Sequence, residues 1–235
     1  MGVELHRAAQ AAGCEVVGIH DIDNPYNNAL PEGYDVAIDF TEPSAVVHNV
    51  KVAGEHGKNI VIGTTGWNDQ MDRIHAIQEK TGIGVLYGSN FSIGVQLFFR
   101  LAAEAGRLID AVDEYDVMIH EAHHKRKKDS PSGTAITTAE RLLSQIARKD
   151  HISTEAQHSP IAPEALHVSS TRGGEVVGRH TVLIDGPHDT IEIVHNAKNR
   201  TGFVQGALAA ATWLHGKRGM YAFTDVFDEI VGAGA

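Results

Sequence analysis

Apolar positions follow two alternating periods along the first half of the chain. Val3, Leu5, Ala8, Ala9 and Ala12 share one face of a helix over 3–12, which Gly13 ends. Short apolar runs follow at 15–20 (EVVGIH), 35–40 (DVAIDF), 59–65 (NIVIGTT) and 83–88 (IGVLYG), the lengths of strands. Between them lie a loop rich in Asp, Asn, Pro and Gly (21–33) and two helical stretches. The first helix, 44–56, is opened by Pro43 and closed by Gly57; the second, 67–80, is followed by Gly82. A longer helix covers 92–109. Strands alternating with helices predict an α/β fold with a Rossmann-type parallel sheet.

The pattern changes after 110. Residues 114–124 (EYDVMIHEAHH) begin as a strand, KRKKDSPSG is a polar loop, and Thr134–Arg148 carries Ile136, Ala139, Leu143 and Ile146 on one helical stripe. Three extended runs, 166–172, 176–185 and 190–196, have no helices between them, so they predict a mixed or antiparallel sheet. A helix over 202–214 closes the pattern and is expected to return to the first domain. The expected organisation is a dinucleotide-binding domain over 1–93, completed by 201–235, and a smaller α+β substrate-binding and oligomerisation domain over 94–200. Hinges are expected near 93–94 and 200–202.

A doubly wound nucleotide domain begins with a strand, a glycine turn and a helix, and that first strand is central in the sheet. This sequence begins with the helix. Omitting a central strand would strip two neighbours of backbone partners. The expectation is therefore that a first strand and its glycine turn precede Met1 in the full protein. Meanwhile the cofactor argument rests on other residues.

Composition narrows the function. The 235 residues are 42% hydrophobic and 21% charged, an ordinary globular balance. A formal net charge of −10 repels a phosphate backbone and argues against nucleic-acid binding. Cys14 is the single cysteine, which excludes an internal disulfide and suits a reducing cytoplasm. No apolar run reaches the roughly 18 residues of a membrane span, and the N-terminus has no signal-peptide core. Met1-Gly2 opens like a myristoylation signal, but His6 stands where Ser or Thr is needed.

The chemistry concentrates in Glu121–Ala135 (EAHHKRKKDSPSGTA). Adjacent histidines exchange protons near neutral pH. Lysines follow within one loop. Pro-Ser-Gly-Thr then opens a helix whose first amides, at Gly133 and Thr134, form an anion site. A cationic pocket of this kind suits a carboxylate substrate, and a lysine in it can protonate a nitrogen that gains electrons. Two rival patterns overlap the segment. His120-Glu121-Ala122-His123-His124 matches a zinc HExxH motif, but that motif needs a helix and the preceding DVMI reads as strand; no metal is expected. The KRKK run (125–128) resembles a nucleic-acid patch, against the acidic balance of the whole chain.

Glu121–Ala135 resembles the signature of the 4-hydroxy-tetrahydrodipicolinate (dihydrodipicolinate) reductase family, E-A-H-H-x-x-K-x-D-x-P-S-G-T-A, throughout. Gly63-Thr64-Thr65-Gly66 and Ser89-Asn90-Phe91-Ser92-Ile93-Gly94-Val95 resemble its two cofactor-side loops. Residues 172–181 (RGGEVVGRHT) and 195–214 resemble its second-domain strand and returning helix. The likeness runs from Gly2 onward and departs where a strand and glycine turn should come first. It implies an NAD(P)H-dependent reductase of a cyclic imine dicarboxylate in lysine and diaminopimelate biosynthesis, and usually a homotetramer built through the second-domain sheet. By matching position it implies that His123 is the catalytic histidine and Lys127 the proton donor. It also implies that His124, Gly133 and Thr134 bind substrate, and that Gly63, Thr64, Thr65, Ser89, Asn90, Phe91 and Ser92 line the cofactor. Closure of the two domains would then exclude water from the reaction.

Asp21 ends the second expected strand, where an acidic residue hydrogen-bonds the adenosine ribose and repels a 2′-phosphate. With no adjacent arginine, NADH is expected to be preferred over NADPH. The alternative for Asp21 is a turn cap. The functional alternatives are a catalytically silent binding or regulatory relative, and a reductase for another cyclic imine or keto acid.

Overall fold

A computed structural model describes residues 1–27, 33–199 and 201–232. In chain order the elements are α1 (Gly2–Ala11), β1 (Val36–Asp39), α2 (Pro43–Glu55), β2 (Asn59–Ile62), a 3-10 turn (Asn68–Gln70), α3 (Met71–Thr81), β3 (Gly84–Tyr87), α4 (Ile93–Asp110), β4 (Asp116–His123), α5 (Gly133–Leu143), β5 (His151–Ser153), β6 (Ala165–Arg172), β7 (Arg179–Asp185), β8 (Thr190–Asn196), α6 (Thr201–Leu214), β9 (Gly219–Ala222) and α7 (Phe223–Gly232). They form two compact units, Met1–Ile93 with Arg200–Ala235, and Gly94–Asn199. Part of the expected 21–33 loop (28–32), residue 200 of the expected hinge and residues 233–235 lie outside the described residues.

The first unit is a four-stranded parallel sheet in the order β1-β2-β3-β9. Successive side chains of a strand point to opposite faces. Accordingly Ile60 and Ile62 of β2 join Val46, Val50, Ala53 and Ile74 of α2 and α3. Val61 joins Ala207, Ala210, Leu214, Phe223 and Phe227 of α6 and α7 on the other face. Helices therefore cover both faces, as the alternating pattern predicts.

The strand expected at 15–20 does not form. Residues 14–20 carry no regular structure, and Val17 and Ile19 are exposed. A strand needs a partner for its backbone groups. The one such a segment takes in a doubly wound sheet, a strand leading into α1, is absent among the described residues. Asp21 consequently ends no strand; its Oδ1 accepts from the Asp23 and Asn24 amides, each at 3.0 Å, in an exposed turn. The helix expected over 67–80 starts as a 3-10 turn, and the one expected to reach Arg148 ends at Leu143. Strands β5 and β9 and helix α7 have no counterpart in the sequence reading.

The second unit holds a five-stranded sheet in the order β5-β6-β4-β7-β8. β5, β6 and β4 run parallel, while β7 and β8 are antiparallel, so the sheet is mixed. Its core face, with Val117, Ile119, Val168 and Val182, meets Phe98, Phe99 and Ala102 of α4 and Ala135, Ala139 and Leu142 of α5.

Candidate active site

β4 is the central strand of the second unit, and its odd positions point inward. Val117 and Ile119 enter the apolar core, and the next two inward positions are Glu121 and His123. A strand that begins as core thus ends by burying two titratable groups, Glu121 fully and His123 at 8% exposure. A buried charge is costly unless it is paired and hydrogen-bonded. Here every oxygen of Glu121 is used. Arg172 reaches it bidentately, Nη2 to Oε1 at 2.7 Å and the other nitrogen to Oε2 at 3.0 Å. The Ser132 amide donates to Oε1 at 3.2 Å, and His123 Nδ1 donates to Oε2. Burial raises the Glu121 carboxyl, but Arg172 and His123 outweigh it and hold it below the usual carboxylate range. Burial depresses the His123 imidazole further than Glu121 lifts it, and the positive charges of Lys127 and Arg172 add to the depression.

Arg172 stands opposite His123 in the parallel β4–β6 register, which explains how residues 49 apart share one cluster. Its Nη2 also donates to the Asp129 carbonyl at 2.7 Å. The ion pair therefore grips the second half of the loop between β4 and α5, at Asp129 and at Ser132. Ser132 caps α5 through Ala135, with its Oγ accepting from that amide at 3.2 Å. The same Oγ lies 3.1 Å from His180 Nε2. His180 sits edge-on to His123 with ring centroids 5.1 Å apart, and Phe98 and His195 lie beyond it. Burial holds His180 far below an ordinary imidazole, at about 3, and neighbouring His123 contributes; His195 is depressed by burial alone.

With Nδ1 of His123 committed to Glu121, Nε2 is its remaining nitrogen. A Cβ at Gly178 would lie 2.9 Å from that atom. Glycine at 178 is what leaves Nε2 approachable.

Lys127 follows four residues after β4's last inward pair, in a turn closed by its own amide donating to the His124 carbonyl at 3.1 Å. Its ammonium meets the Asp129 carboxylate at 2.8 and 3.0 Å. Partial burial raises that carboxyl, but Lys127 and the amides of Asp129 and Gly133 prevail and hold it low. A carboxylate thus already rests between Lys127 and the start of α5, the chemistry the sequence assigns to substrate. Gly133 is exposed and Thr134 half-buried. His124 anchors its amide on the Val176 carbonyl at 2.7 Å, while its buried Nδ1 has no partner among the described residues. His123, His124, Lys127, Gly133 and Thr134 are therefore brought into one stretch of the second unit.

The cofactor-side residues all lie in the first unit. Parallel pairing puts the ends of β1, β2 and β3 at one edge, where doubly wound sheets bind ligands. Buried Asp39 organises that edge. Its Oδ1 accepts from the Thr41 amide, the Thr41 hydroxyl and the Thr64 hydroxyl at 2.9, 2.7 and 2.9 Å, and Asn49 donates to Oδ2 at 2.9 Å. Thr64 therefore turns its hydroxyl inward, and Thr65 and Ser89 are the exposed hydroxyl residues of the two loops. Gly63 lies under the Phe40 ring, which a Cβ would meet at 2.2 Å. Asn90 Oδ1 accepts from the Ser92 amide at 2.9 Å. Phe91 is 1% exposed against Phe40 and Phe223, so its ring is core and only its backbone is near the edge. An edge of exposed hydroxyls and loop backbone fits the ribose and phosphate oxygens of a dinucleotide. Asp21 stands outside this set, in its own turn.

A second metal pattern appears in space. Glu121, His123 and His180 bring ligand atoms within 4.8 Å of one another. Glu121 has already spent its lone pairs on Arg172, His123 and Ser132, and a guanidinium beside a dication would oppose it. The HExxH reading also fails, because residues 116–123 are strand and spread His120 and His124 along it. His120 is exposed and bonds Ser169 Oγ at 3.0 Å.

Glu121, Arg172, Ser132, Gly178 and His180 were not singled out as site residues in the sequence. For Glu121 the signal was present: strand periodicity puts it on the face of His123. Ser132 was legible too, as the N-cap that opens α5; Arg172, Gly178 and His180 come in only through the pairing of β6 and β7 with β4.

A doubly wound parallel unit, with a second unit whose mixed sheet carries the His123, His124 and Lys127 cluster, defines a two-part α/β protein of the dinucleotide-binding architecture. Two family models match the chain, "Dihydrodipicolinate reductase, N-terminus" over residues 1–91 and "Dihydrodipicolinate reductase, C-terminus" over 94–227. The 4-hydroxy-tetrahydrodipicolinate reductase of Methanoregula boonei is 37% identical over 227 residues, 96% of this chain and 86% of the relative. That of Christiangramia forsetii is 39% identical over 197 residues, 83% of this chain and 80% of the relative. Among solved structures, the dipicolinate-bound dihydrodipicolinate reductase from Paenisporosarcina sp. TG-14 shares the fold, with a TM-score of 0.72 at 22% identity over 96% of this chain and 94% of that one. The chain belongs to the dihydrodipicolinate reductase family.

Proposed function

We infer that this protein reduces 4-hydroxy-tetrahydrodipicolinate to tetrahydrodipicolinate with NADH or NADPH, on the route to diaminopimelate and lysine. The observation that carries the reading is the Asp129 carboxylate held between Lys127 and the Gly133 end of α5, which supports these groups as the partners of a substrate carboxylate. The bound nicotinamide supplies the hydride. Loss of the 4-hydroxyl as water would leave a C=C bond conjugated with the ring C=N; hydride would add at the far carbon of that system, and the electron pair displaced onto the ring nitrogen would take a proton from the Lys127 ammonium, the resulting enamine returning to the imine by tautomerisation. The α5 amides at Gly133 and Thr134, with His124, hold the carboxylate. His123, oriented through Nδ1, presents Nε2 to the reacting region and steadies charge beside Lys127. In the first unit Thr65 and Ser89, with the backbone of Gly63, Thr64, Asn90, Phe91 and Ser92, would hold the cofactor.

NADH is the proposed preferred cofactor, supported by the lack of arginine among residues 19–24 to meet a 2′-phosphate; Asp21, which caps its own turn, lends it no support. A homotetramer built through the second-unit sheet is supported by Ile191 and Val194, which leave apolar surface exposed on β8. A cytoplasmic location is supported by the single cysteine. No helix among the described residues is long and apolar enough to cross a membrane. The direct test follows loss of NADH and NADPH absorbance with enzymatically generated substrate. Oxidation dependent on the cyclic imine, with higher kcat/KM for NADH, is expected. Failure to oxidise either cofactor overturns the function, and a higher kcat/KM for NADPH overturns the preference alone. Light scattering of purified protein reads the oligomer.

A further inference from the structure

We propose that Glu121 is the positioning residue of the site: its buried carboxylate fixes the tautomer of His123 and, through Arg172 and the Ser132 amide, the loop that carries Lys127. The proposal rests on the reductase reading for its kinetic part and on geometry alone for its structural part. His123 has two ring nitrogens, and the partner of one decides the state of the other. Glu121 is fully buried and takes Nδ1–H, so the neutral ring keeps its lone pair on Nε2, the nitrogen Gly178 leaves uncovered. The groups facing His123 are Glu121 on its own strand, Lys127 on the following loop, Arg172 on β6 and His180 on β7. Of these, Glu121 alone carries a negative charge, and it is the group in hydrogen-bond contact with Nδ1.

The same carboxylate fixes where the loop runs. Arg172 is drawn to Glu121 at 2.7 and 3.0 Å and from there holds the Asp129 carbonyl, while Glu121 itself holds the Ser132 amide. The stretch from Asp129, which Lys127 meets, to the start of α5 is thus held at Asp129 and at Ser132 by one buried ion pair. No part of Glu121 is exposed to meet a substrate. It acts through His123 and the loop.

Two measurements test this. In the unmodified protein, nitrogen-15 imidazole spectra at pH 8, assigned by loss of the signal in His123→Asn, should show His123 protonated at Nδ1 and bare at Nε2. The opposite tautomer overturns the proposal, whatever the protein reduces. Glu121→Gln keeps the volume but offers Nδ1 an amide, and should lower kcat by roughly 10²-fold or more, as loss of a tautomer-fixing carboxylate does elsewhere. Because Glu121 favours the protonated ring, the acid limb of the kcat/KM profile should move to lower pH in Glu121→Gln. Glu121→Asp, which keeps the charge, should recover much of the loss. Glu121→Gln combined with His123→Asn should lose clearly less than the product of the two single losses, since the two share the tautomer role and only the loop role of Glu121 remains to be lost. An unmoved acid limb, or additive losses, would leave Glu121 a purely structural role and sink the idea. Should Glu121→Gln fail to fold, the spectrum of the unmodified protein still decides. If the unmodified protein reduces no cyclic imine, the functional reading falls while the tautomer remains testable.

Discussion

Lys127 and Gly178 act on the same histidine-centred pocket from opposite directions, one by supplying a group and the other by withholding one. Lys127→Ala removes the ammonium that meets Asp129, and turnover should fall by roughly 10²-fold or more, the scale of positioned acid catalysis, with the KM for cofactor nearly unchanged. Unaltered turnover would take Lys127 out of the mechanism. Gly178→Ala adds a single carbon 2.9 Å from His123 Nε2. The ring cannot retreat freely, because Glu121 holds its other side. Displacements of about 1 Å at a reacting group can cost about 10²-fold, so kcat should fall by between tenfold and that figure, with little change in melting temperature. Wild-type kcat in Gly178→Ala would show that Nε2 needs no open approach. Both readouts come from steady-state kinetics beside a thermal melt.

At the scale of elements, α5 depends on the hydroxyl of one residue and α6 on the small size of another. Ser132→Ala removes the cap of Ala135 and the hydroxyl facing His180, and should cost about 1 kcal/mol in chemical denaturation, the usual value of an N-cap. An unchanged midpoint would mean water replaces both bonds. On α6, a Cβ at Gly206 would come within 1.7 Å of the Phe91 carbonyl oxygen, so Gly206→Ala forces the helix off the core it shares with Phe223. What the sequence made legible here was period and punctuation. Pro43, Gly57 and Gly82 bounded the helices of the first unit, and the runs at 35–40, 59–65 and 83–88 all became strands. Residues 15–20 have the same apolar signature and failed, because a strand is a property of a pair and periodicity says nothing about the partner. β5, at three residues, is too short to carry a period, and β9 (GMYA), though as long as β1, β2 and β3, has none of the β-branched residues that mark those strands. In the site, EAHHKRKKDSPSGTA exposed His123 and Lys127 by residue type. Arg172 and His180 lie about 50 residues away, and only the β4–β6 and β4–β7 registers bring them in.

For the whole molecule, the buried imidazoles set how stability depends on pH. His180 is held near 3 in the folded chain, against an ordinary value of 6.5, and burial depresses His123 and His195 as well. Above about 6.5 both states keep these rings neutral, and the depressed values have no effect. As pH falls below 6.5, the unfolded chain takes up protons that the folded chain refuses, so stability drops until the folded value is reached. Glu121 and Asp129 act in a different window. Their folded values lie below the ordinary ones, so their contribution persists above the unfolded carboxylate range and fades only in more acid solution. Between pH 6.5 and 5 the histidines therefore decide. One fully refused proton costs about 1.4 kcal/mol at pH 5.5, a pH unit below the unfolded value. Urea unfolding at pH 7.5 and 5.5 should show at least that loss. His180→Asn, which cannot titrate, should flatten the slope by close to one proton, even if its stability at pH 7.5 is lower for losing the Ser132 contact. A slope identical to that of the parent protein would mean that His180 accepts its proton without unfolding. In that case the His123–His180 pair, rather than the fold as a whole, would absorb the charge, and activity rather than stability would be lost first as the solution is acidified.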